Sequence, residues 1–404
     1  MVTAASETGR GRRRDARRAI PPSVVLVLVG LAISLVGPNL SLPISPHLIL
    51  AIVLPGLVFE AAFRTTLEVL RPAAAGVLLL AIPGVVVVAA IVAVVLAATT
   101  GLSLEEAFVV GAMVAATDPA AVLSTFRRVA VPHRLATTVE MESLVNDGTG
   151  IVLFAVALEM LTGGGSAGGA AVQFVVSIIA SSGLGLVLGR AMAGLVGHVH
   201  HHITELALTG LLAYGAYLAA DAVGFSGVIA TLAAATVFGA TGRGSLTKRT
   251  IETIDVVWEW VALLLTAAVF LLVGLSIAPQ SLIHAAGPIA WGVVAILLGR
   301  AVVVYLLLGG ASQLVAWIGG WRTESNASSG SRRNPIPLPW LHVLFWAGLR
   351  GAVSVALALS LPTDLPNRDL LQGITFGIVL FTLLVQGTTA TWVVRRSGAS
   401  VATA

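Results

Sequence analysis

From about residue 22 to residue 394 the chain is a succession of apolar runs, each roughly 20 residues long, separated by short polar stretches. That is the length a helix needs to cross the hydrocarbon core of a bilayer. Lipid offers the backbone no hydrogen-bond partner, so runs of this kind fold as helices. Only 10% of the 404 residues are charged, against about 25% in a water-soluble domain, too few to cover a soluble surface. The expected fold is an all-α polytopic membrane protein. With no cysteine in the sequence, disulfides and thiolate metal sites are excluded.

The hydropathy pattern marks twelve spans, at about 22–36, 46–63, 72–99, 105–126, 137–160, 170–197, 203–220, 224–241, 255–276, 288–316, 339–360 and 370–394. With the N-terminus in the cytoplasm, 20 of the 23 basic residues fall on the inside, including the cluster Arg10, Arg12, Arg13, Arg14, Arg17 and Arg18. One, Arg368, falls outside, and Arg300 and Arg350 lie within spans. Such asymmetry is the positive-inside rule. It makes the net charge of +4 a signal of topology rather than of nucleic-acid binding. Both termini are expected in the cytoplasm and the protein in the plasma membrane. A basic cytoplasmic segment (1–21) precedes the transmembrane domain (22–394), and a short cytoplasmic tail (395–404) follows. Residues 1–36 have the look of a signal peptide but no clean small-residue cleavage site, so the first span reads as an uncleaved helix. The stretch Ser-Asn-Ala-Ser-Ser-Gly-Ser (325–331), in the longest inside loop, reads as a flexible tether.

Twelve spans with both ends inside divide into an inverted pair of five-helix repeats, about 22–160 and 224–394, joined by linker helices at about 170–220. The fourth span of each repeat is interrupted at its middle, by Ala-Thr-Asp-Pro-Ala-Ala (116–121) and by Gly-Leu-Arg-Gly-Ala-Val (348–353). Proline and glycine break helices, and in a bilayer the freed backbone groups need a cavity or an ion. Interruptions at matching places in inverted halves point to the binding site of a secondary transporter.

Four charged residues lie near the middle of their spans: Asp118, Asp147, Arg300 and Arg350. Each costs at least about 2.5–3.5 kcal/mol at the bilayer centre, so they require partners. Glu142 lies about a turn and a half from Asp147, and Glu60 near the inner end of the second span. In the fifth span, Ser143 and Asp147 are four residues apart and share one helical face, while Glu142 and Asn146 share the adjoining one. One stripe can offer a hydroxyl and a carboxylate to an ion; the other carries a carboxylate towards a partner helix. Asp118 follows Thr117 at the helix break, where a free carbonyl supplies another oxygen. An all-oxygen site suits hard cations such as Na+ and not soft metals. Two carboxylates in one dry cavity cannot both be ionised cheaply, so one holds a proton until a cation displaces it. Ion pairing with these carboxylates is the expected role of the two arginines. His198, His200, His201 and His202 read as a solvated inside loop, with pH sensing as the alternative. Glu140, Glu159, Glu205, Asp221 and Glu259 lie near span ends and read as interfacial.

These residues resemble the NhaP/NHE-type family of monovalent cation:proton antiporters. The matching stretches are Leu-Pro-Gly-Leu-Val-Phe-Glu (54–60), Ala-Thr-Asp-Pro-Ala-Ala-Val (116–122), Glu-Ser-Leu-Val-Asn-Asp (142–147), Arg300, Gly-Leu-Arg-Gly-Ala-Val-Ser (348–354) and Leu-Leu-Val-Gln-Gly (383–387). They follow one another in family order over nearly the whole chain. The resemblance implies an NhaA/NhaP-like antiporter fold with two crossing broken helices. It implies that Asp147 is the principal ion- and proton-carrying group, with Asp118, Ser143 and the Thr117 carbonyl as further Na+ ligands. It also implies that Glu142 pairs with Arg300, that Arg350 offsets the like-charged ends of the broken helices, and that Glu60 lies near the ion path. Asn146 in place of a second aspartate resembles the electroneutral branch, which exchanges one cation for one proton without any other cofactor. Family members are homodimers that move a core bundle against a dimerisation scaffold. They usually carry one further helix before the first span and many have a long cytoplasmic tail, both of which this chain is expected to lack.

The other readings are K+/H+ exchange on the same scaffold, a channel, and an intramembrane aspartyl hydrolase. Asp118 with Asp147 could mimic a hydrolase dyad, but the setting Asn-Asp-Gly around Asp147 differs from the Gly-x-Gly-Asp type that proteolysis needs. The expected activity is transport, not catalysis.

Overall fold

The computed structural model of the chain describes residues 21–36, 46–65, 67–126, 128–163, 166–199, 201–277, 282–283, 285–314 and 335–399. Residues 1–20, most of the long inside loop and the last five residues lie outside that set, and with them most of the basic N-terminal segment, the flexible tether and His200.

Helix lies in each of the twelve stretches that hydropathy marks. In chain order the helices are α1 (Pro22–Val36), α2 (Pro46–Arg64), α3 (Leu67–Ala81), α4 (Pro83–Thr100), α5 (Leu104–Ala115), α6 (Ala120–Phe126), α7 (His133–Leu161), α8 (Ala167–Val196), α9 (His202–Asp221), α10 (Gly227–Thr241) and α11 (Lys248–Ser276). They continue with α12 (Ala286–Ala301), α13 (Leu338–Trp346), α14 (Ala352–Leu359), α15 (Arg368–Phe381) and α16 (Thr388–Ser397). Two π-helical turns, Val302–Gly309 and Thr382–Gly387, extend α12 and join α15 to α16. Eight of these helical units are long and apolar enough to cross a membrane, and Pro22–Leu35 and Gly227–Thr241 are shorter apolar helices.

Among the described residues three spans are interrupted, two at a proline and one between two glycines. Pro83 separates α3 from α4, and the Thr149 hydroxyl on α7 donates to the Ala81 carbonyl at that break (2.5 Å). Residues 117–119 between α5 and α6, and 348–351 between α13 and α14, are non-helical. These last two stretches cross, and the Asp118 backbone N–H donates to the Leu349 carbonyl at 2.8 Å.

Most of α3 to α7 and α12 to α16 share one large apolar core. A second core is made by Phe59, Ala62 and Phe63 of α2, Ala193 and Val196 of α8, and residues of α9, α10 and α11 such as Leu212, Phe238 and Trp258. Small residues bring helices of this second group together. Gly185 and Gly189, one turn apart on α8, lie directly against the backbone carbonyls of Ala230 and Ala234 on α10. A side chain at either glycine would overlap that backbone, which is how helices pack closely in lipid. The broken crossing belongs to the first group, and helix α7 faces the second: Gly148 lies against Ile229 of α10.

Candidate ion-binding site

The crossing leaves four half-helix ends facing one another, each with unsatisfied backbone groups and a partial charge. Charged side chains meet them. The guanidinium of Arg350, fully buried, donates to the Ala116 carbonyl at the C-terminal end of α5 (3.1 Å). Arg300, 5% exposed, donates to the Leu344 carbonyl in the last turn of α13 through both Nη2 (2.8 Å) and Nε (3.3 Å). The Asp118 carboxylate serves the opposite ends. It accepts the Ala120 N–H at the start of α6 (2.9 Å), and the Ala352 N–H at the start of α14 acts on it electrostatically. Cations thus sit at two helix C-termini and one anion at two N-termini, the stabilising sense in each case.

Gly351 explains how the carboxylate gets so close. A Cβ at that position would lie on top of the Asp118 side chain. Only a bare backbone leaves the space, and this is the functional meaning of the second glycine in Gly-Leu-Arg-Gly.

Arg300 also holds α7. Its two terminal nitrogens bind both oxygens of Glu142, with Nη2 to Oε2 at 3.0 Å and Nη1 to Oε1 closer still. Both side chains are buried, Glu142 at 1% exposure. The pair expected from the sequence is therefore present, in the bidentate geometry arginine favours, and through Leu344 it extends to a third helix.

One turn further along α7, Asn146 is buried and bonded at both ends of its amide. Oδ1 accepts the Thr117 N–H (3.1 Å) and Nδ2 donates to Thr117 Oγ1 (2.7 Å). Thr117 Oγ1 in turn lies 3.1 Å from Ser143 Oγ. The break in α5–α6 is thus fastened to α7 by Asn146, while Ser143 and Thr117 hold two neutral oxygens side by side. Asp147 differs from its neighbours. It is half-buried, no described residue hydrogen-bonds its carboxylate, and the charge of Asp118 acts on it. The structure therefore brings together Asp118, Asp147, Ser143, Thr117 and Asn146, with Arg350 at the same crossing and the Glu142–Arg300 pair on the adjoining stripe.

Glu60 is placed differently. Its carboxylate is taken by Arg64 at 2.7 Å, and Arg64 also binds Glu259 at 3.0 Å and the Asp255 carbonyl at 3.3 Å. Asp255 pairs with Arg243 (3.1 Å), which stacks over Phe63 at 4.6 Å. Glu60 thus belongs to a chain of charges tying α2 to α11, and no hydrogen bond joins it to the crossing among the described residues. Glu205 lies in the first turn of α9, near the span end, with its side chain buried at 2% exposure. Of the histidines, His201 and His202 stack at 5.2 Å and His198 bonds the Gly194 carbonyl within its own turn.

Two positions that sequence reasoning passed over complete the site: Thr149, at the Ala81 carbonyl, and Thr382, whose hydroxyl accepts the Arg350 backbone N–H at 3.0 Å. A buried hydroxyl opposite a helix break was the available signal for both.

Residues 8–396 match the family model described as sodium/hydrogen exchanger, transmembrane. The chain is 37% identical to the Na(+)/H(+) antiporter ApNhaP of Aphanothece halophytica, over 94% of this chain and 70% of that protein. It is 34% identical to the Na(+)/H(+) antiporter NhaH of Halobacillus dabanensis, over 94% of this chain and 92% of that protein. In fold it is similar to the solved sodium proton antiporter MjNhaP1 of Methanocaldococcus jannaschii, with a TM-score of 0.71 at 22% identity, covering 93% of this chain and 91% of that one.

Proposed function

Since the chain belongs to the sodium/hydrogen exchanger family, we propose that it exchanges Na+ for H+ across a membrane by letting the two ions compete for the Asp147 carboxylate. One observation carries this reading: Asp147 is the acidic group of the cluster with no hydrogen-bond donor among the described residues, the charge of Asp118 acts on it, and it lies one turn along α7 from Ser143, whose hydroxyl meets that of Thr117. An acid so placed has a proton or a cation as its partner. Oxygen-only surroundings suit a hard monovalent ion.

The arithmetic of charge favours a one-for-one, electroneutral cycle. The Asp118 carboxylate accepts the Ala120 N–H and is acted on by that of Ala352, and Asn146 is neutral and bonded to Thr117 at both ends of its amide. Asp147 is left as the one group that trades its proton. Exchange of this kind makes the chain a transporter; the paired aspartates are not a hydrolytic dyad. Movement of the bundle built on α3–α7 and α12–α16 against α1, α2 and α8–α11 would expose Asp147 to each side in turn. Gly148 on α7, next to Asp147 in sequence and packed on Ile229 of α10, places the ion near that sliding surface. We place the protein as a homodimer in the plasma membrane with both termini in the cytoplasm, the two halves forming an inverted repeat.

The test is transport in proteoliposomes loaded with a pH-sensitive dye and challenged in turn with Na+, Li+ and K+. Na+-driven dequenching that is lost in Asp147→Ala and Asp118→Ala, in protein that still inserts, is the expected outcome. A response to K+ alone would move the reading to K+/H+ exchange, and retained Na+-dependent proton release in both variants would refute the site.

A further inference from the structure

The break in the α13–α14 span is gripped from behind by a residue that no motif contains. We propose that Thr382 is a positioning residue for ion binding: by holding the Arg350 backbone, it fixes the 349–352 segment against Asp118 and so sets the affinity for the cation.

The contacts form one continuous line. The Thr382 hydroxyl, 1% exposed, donates to the Val379 carbonyl at 3.0 Å, which turns its lone pair to the Arg350 N–H, also at 3.0 Å. Residues on either side of Arg350 then hold Asp118. The Leu349 carbonyl accepts the Asp118 N–H at 2.8 Å, Gly351 gives the carboxylate its space, and the Ala352 N–H acts on it electrostatically. A shift of the Arg350 peptide is therefore transmitted to Asp118 through backbone on both sides.

The helix carrying Thr382 is shaped for this task. Thr382 begins the π-helical turn Thr382–Gly387, and Gly387, five residues on, lies against the Leu349 side chain. In an α-helix residues five apart point about 140° from each other. The i→i+5 bonding of a π-turn brings them back to one face. The π-turn thus lets one helix touch two consecutive residues of the break, 349 and 350, at once. Local π-turns of this kind are frequent at functional sites.

The experiment measures half-saturating Na+ and maximal rate in proteoliposomes for Thr382→Val, which keeps the shape and removes the hydroxyl. The expected result is a rise in half-saturating Na+ of about tenfold, equivalent to about 1.4 kcal/mol, with the maximal rate within about twofold of the parent. Thr382→Ser should restore the parent value. Thr375→Val is the control: Thr375 is equally buried on the preceding helix and bonds only the Leu371 carbonyl of its own turn, so its removal should leave half-saturation unchanged. Parent-like affinity in Thr382→Val, or an equal loss in both valine variants, would overturn the proposal. If Thr382→Val cannot be recovered folded, hydrogen exchange of the 348–352 backbone in Thr382→Ala decides: exchange about tenfold faster than in the parent is expected, and parent-like protection would overturn the proposal. The inference rests on the exchange reading above. Parent vesicles without Na+-dependent proton movement would fail that reading, whereas normal parent exchange with an unaltered Thr382→Val fails this one alone.

Discussion

Asn146 and Thr117 are joined by two hydrogen bonds, one to the threonine backbone N–H at 3.1 Å and one to its hydroxyl at 2.7 Å. The residue next to Asp147 therefore holds the neighbouring broken helix in place. It follows that Asn146→Ala leaves the buried Thr117 N–H without an acceptor, at a cost of about 1–3 kcal/mol. Half-saturating Na+ should rise at least tenfold. Asn146→Asp keeps an acceptor for the N–H but loses the donor to the hydroxyl and adds a buried carboxyl next to Asp147, a larger cost, so its defect in thermal stability should be the larger. Titration of both variants by Na+-driven dequenching and a thermal-shift assay check the order.

The Glu142–Arg300 pair predicts an asymmetric response to mutation. Breaking a buried pair by removing one partner costs about 3–5 kcal/mol. Glu142→Gln deletes only that pairing, whereas Arg300→Ala also strips the Leu344 carbonyl of two donors and removes the cation from the end of α13. Arg300→Ala should be the less stable in detergent, measured by thermal unfolding on size-exclusion chromatography. Neutralising both together should not restore the parent melting temperature. Equal losses for the two single variants would contradict the second role of Arg300.

Gly351→Ala places a methyl group where the Asp118 carboxylate lies. The carboxylate must then leave the N-terminus of α14, a helix-end contact worth about 0.3–2 kcal/mol. Exchange should fall sharply while membrane insertion persists. Assay of dequenching against the amount of inserted protein separates the two.

At the far end of α2, Arg64→Ala removes ion pairs to Glu60 and Glu259. These groups are partly exposed, and exposed pairs are worth about 0.2–1 kcal/mol. A shift in melting temperature of a few degrees at most is expected, with half-saturating Na+ close to the parent value. A tenfold change in Na+ affinity would bring Glu60 back into the ion path.

The parts of the site that sequence could reveal are those fixed along one helix. Residues four apart on α7 share a face wherever that helix packs, so Ser143 with Asp147 and Glu142 with Asn146 were legible from spacing alone. The breaks at Thr117-Asp118-Pro119 and Gly348–Gly351 were legible because proline and glycine act locally. What lay hidden depends on which helices become neighbours. Asn146 could be read as an ion ligand because nothing in its own helix tells of Thr117. Glu60 carries the same motif whether it faces the ion or Arg64, and only the packing of α2 on α11 decides. Glu205 falls near a span end, where acids are commonly solvated, yet its side chain is buried while His202, Ile203 and Thr204 around it are exposed. Thr382 sits in an apolar helix among other threonines, and its value comes from a turn of π-helix that hydropathy does not register.

The most direct test of competition at Asp147 is the half-saturating Na+ concentration measured across pH in proteoliposomes. If one proton and one Na+ share one carboxylate, each unit of falling pH in the range where the proton wins should raise half-saturation tenfold. The maximal rate should hold, and the exchange should generate no membrane potential. The account would be contradicted if half-saturating Na+ were flat across that range, or if Asp147→Asn retained the same pH-dependent exchange.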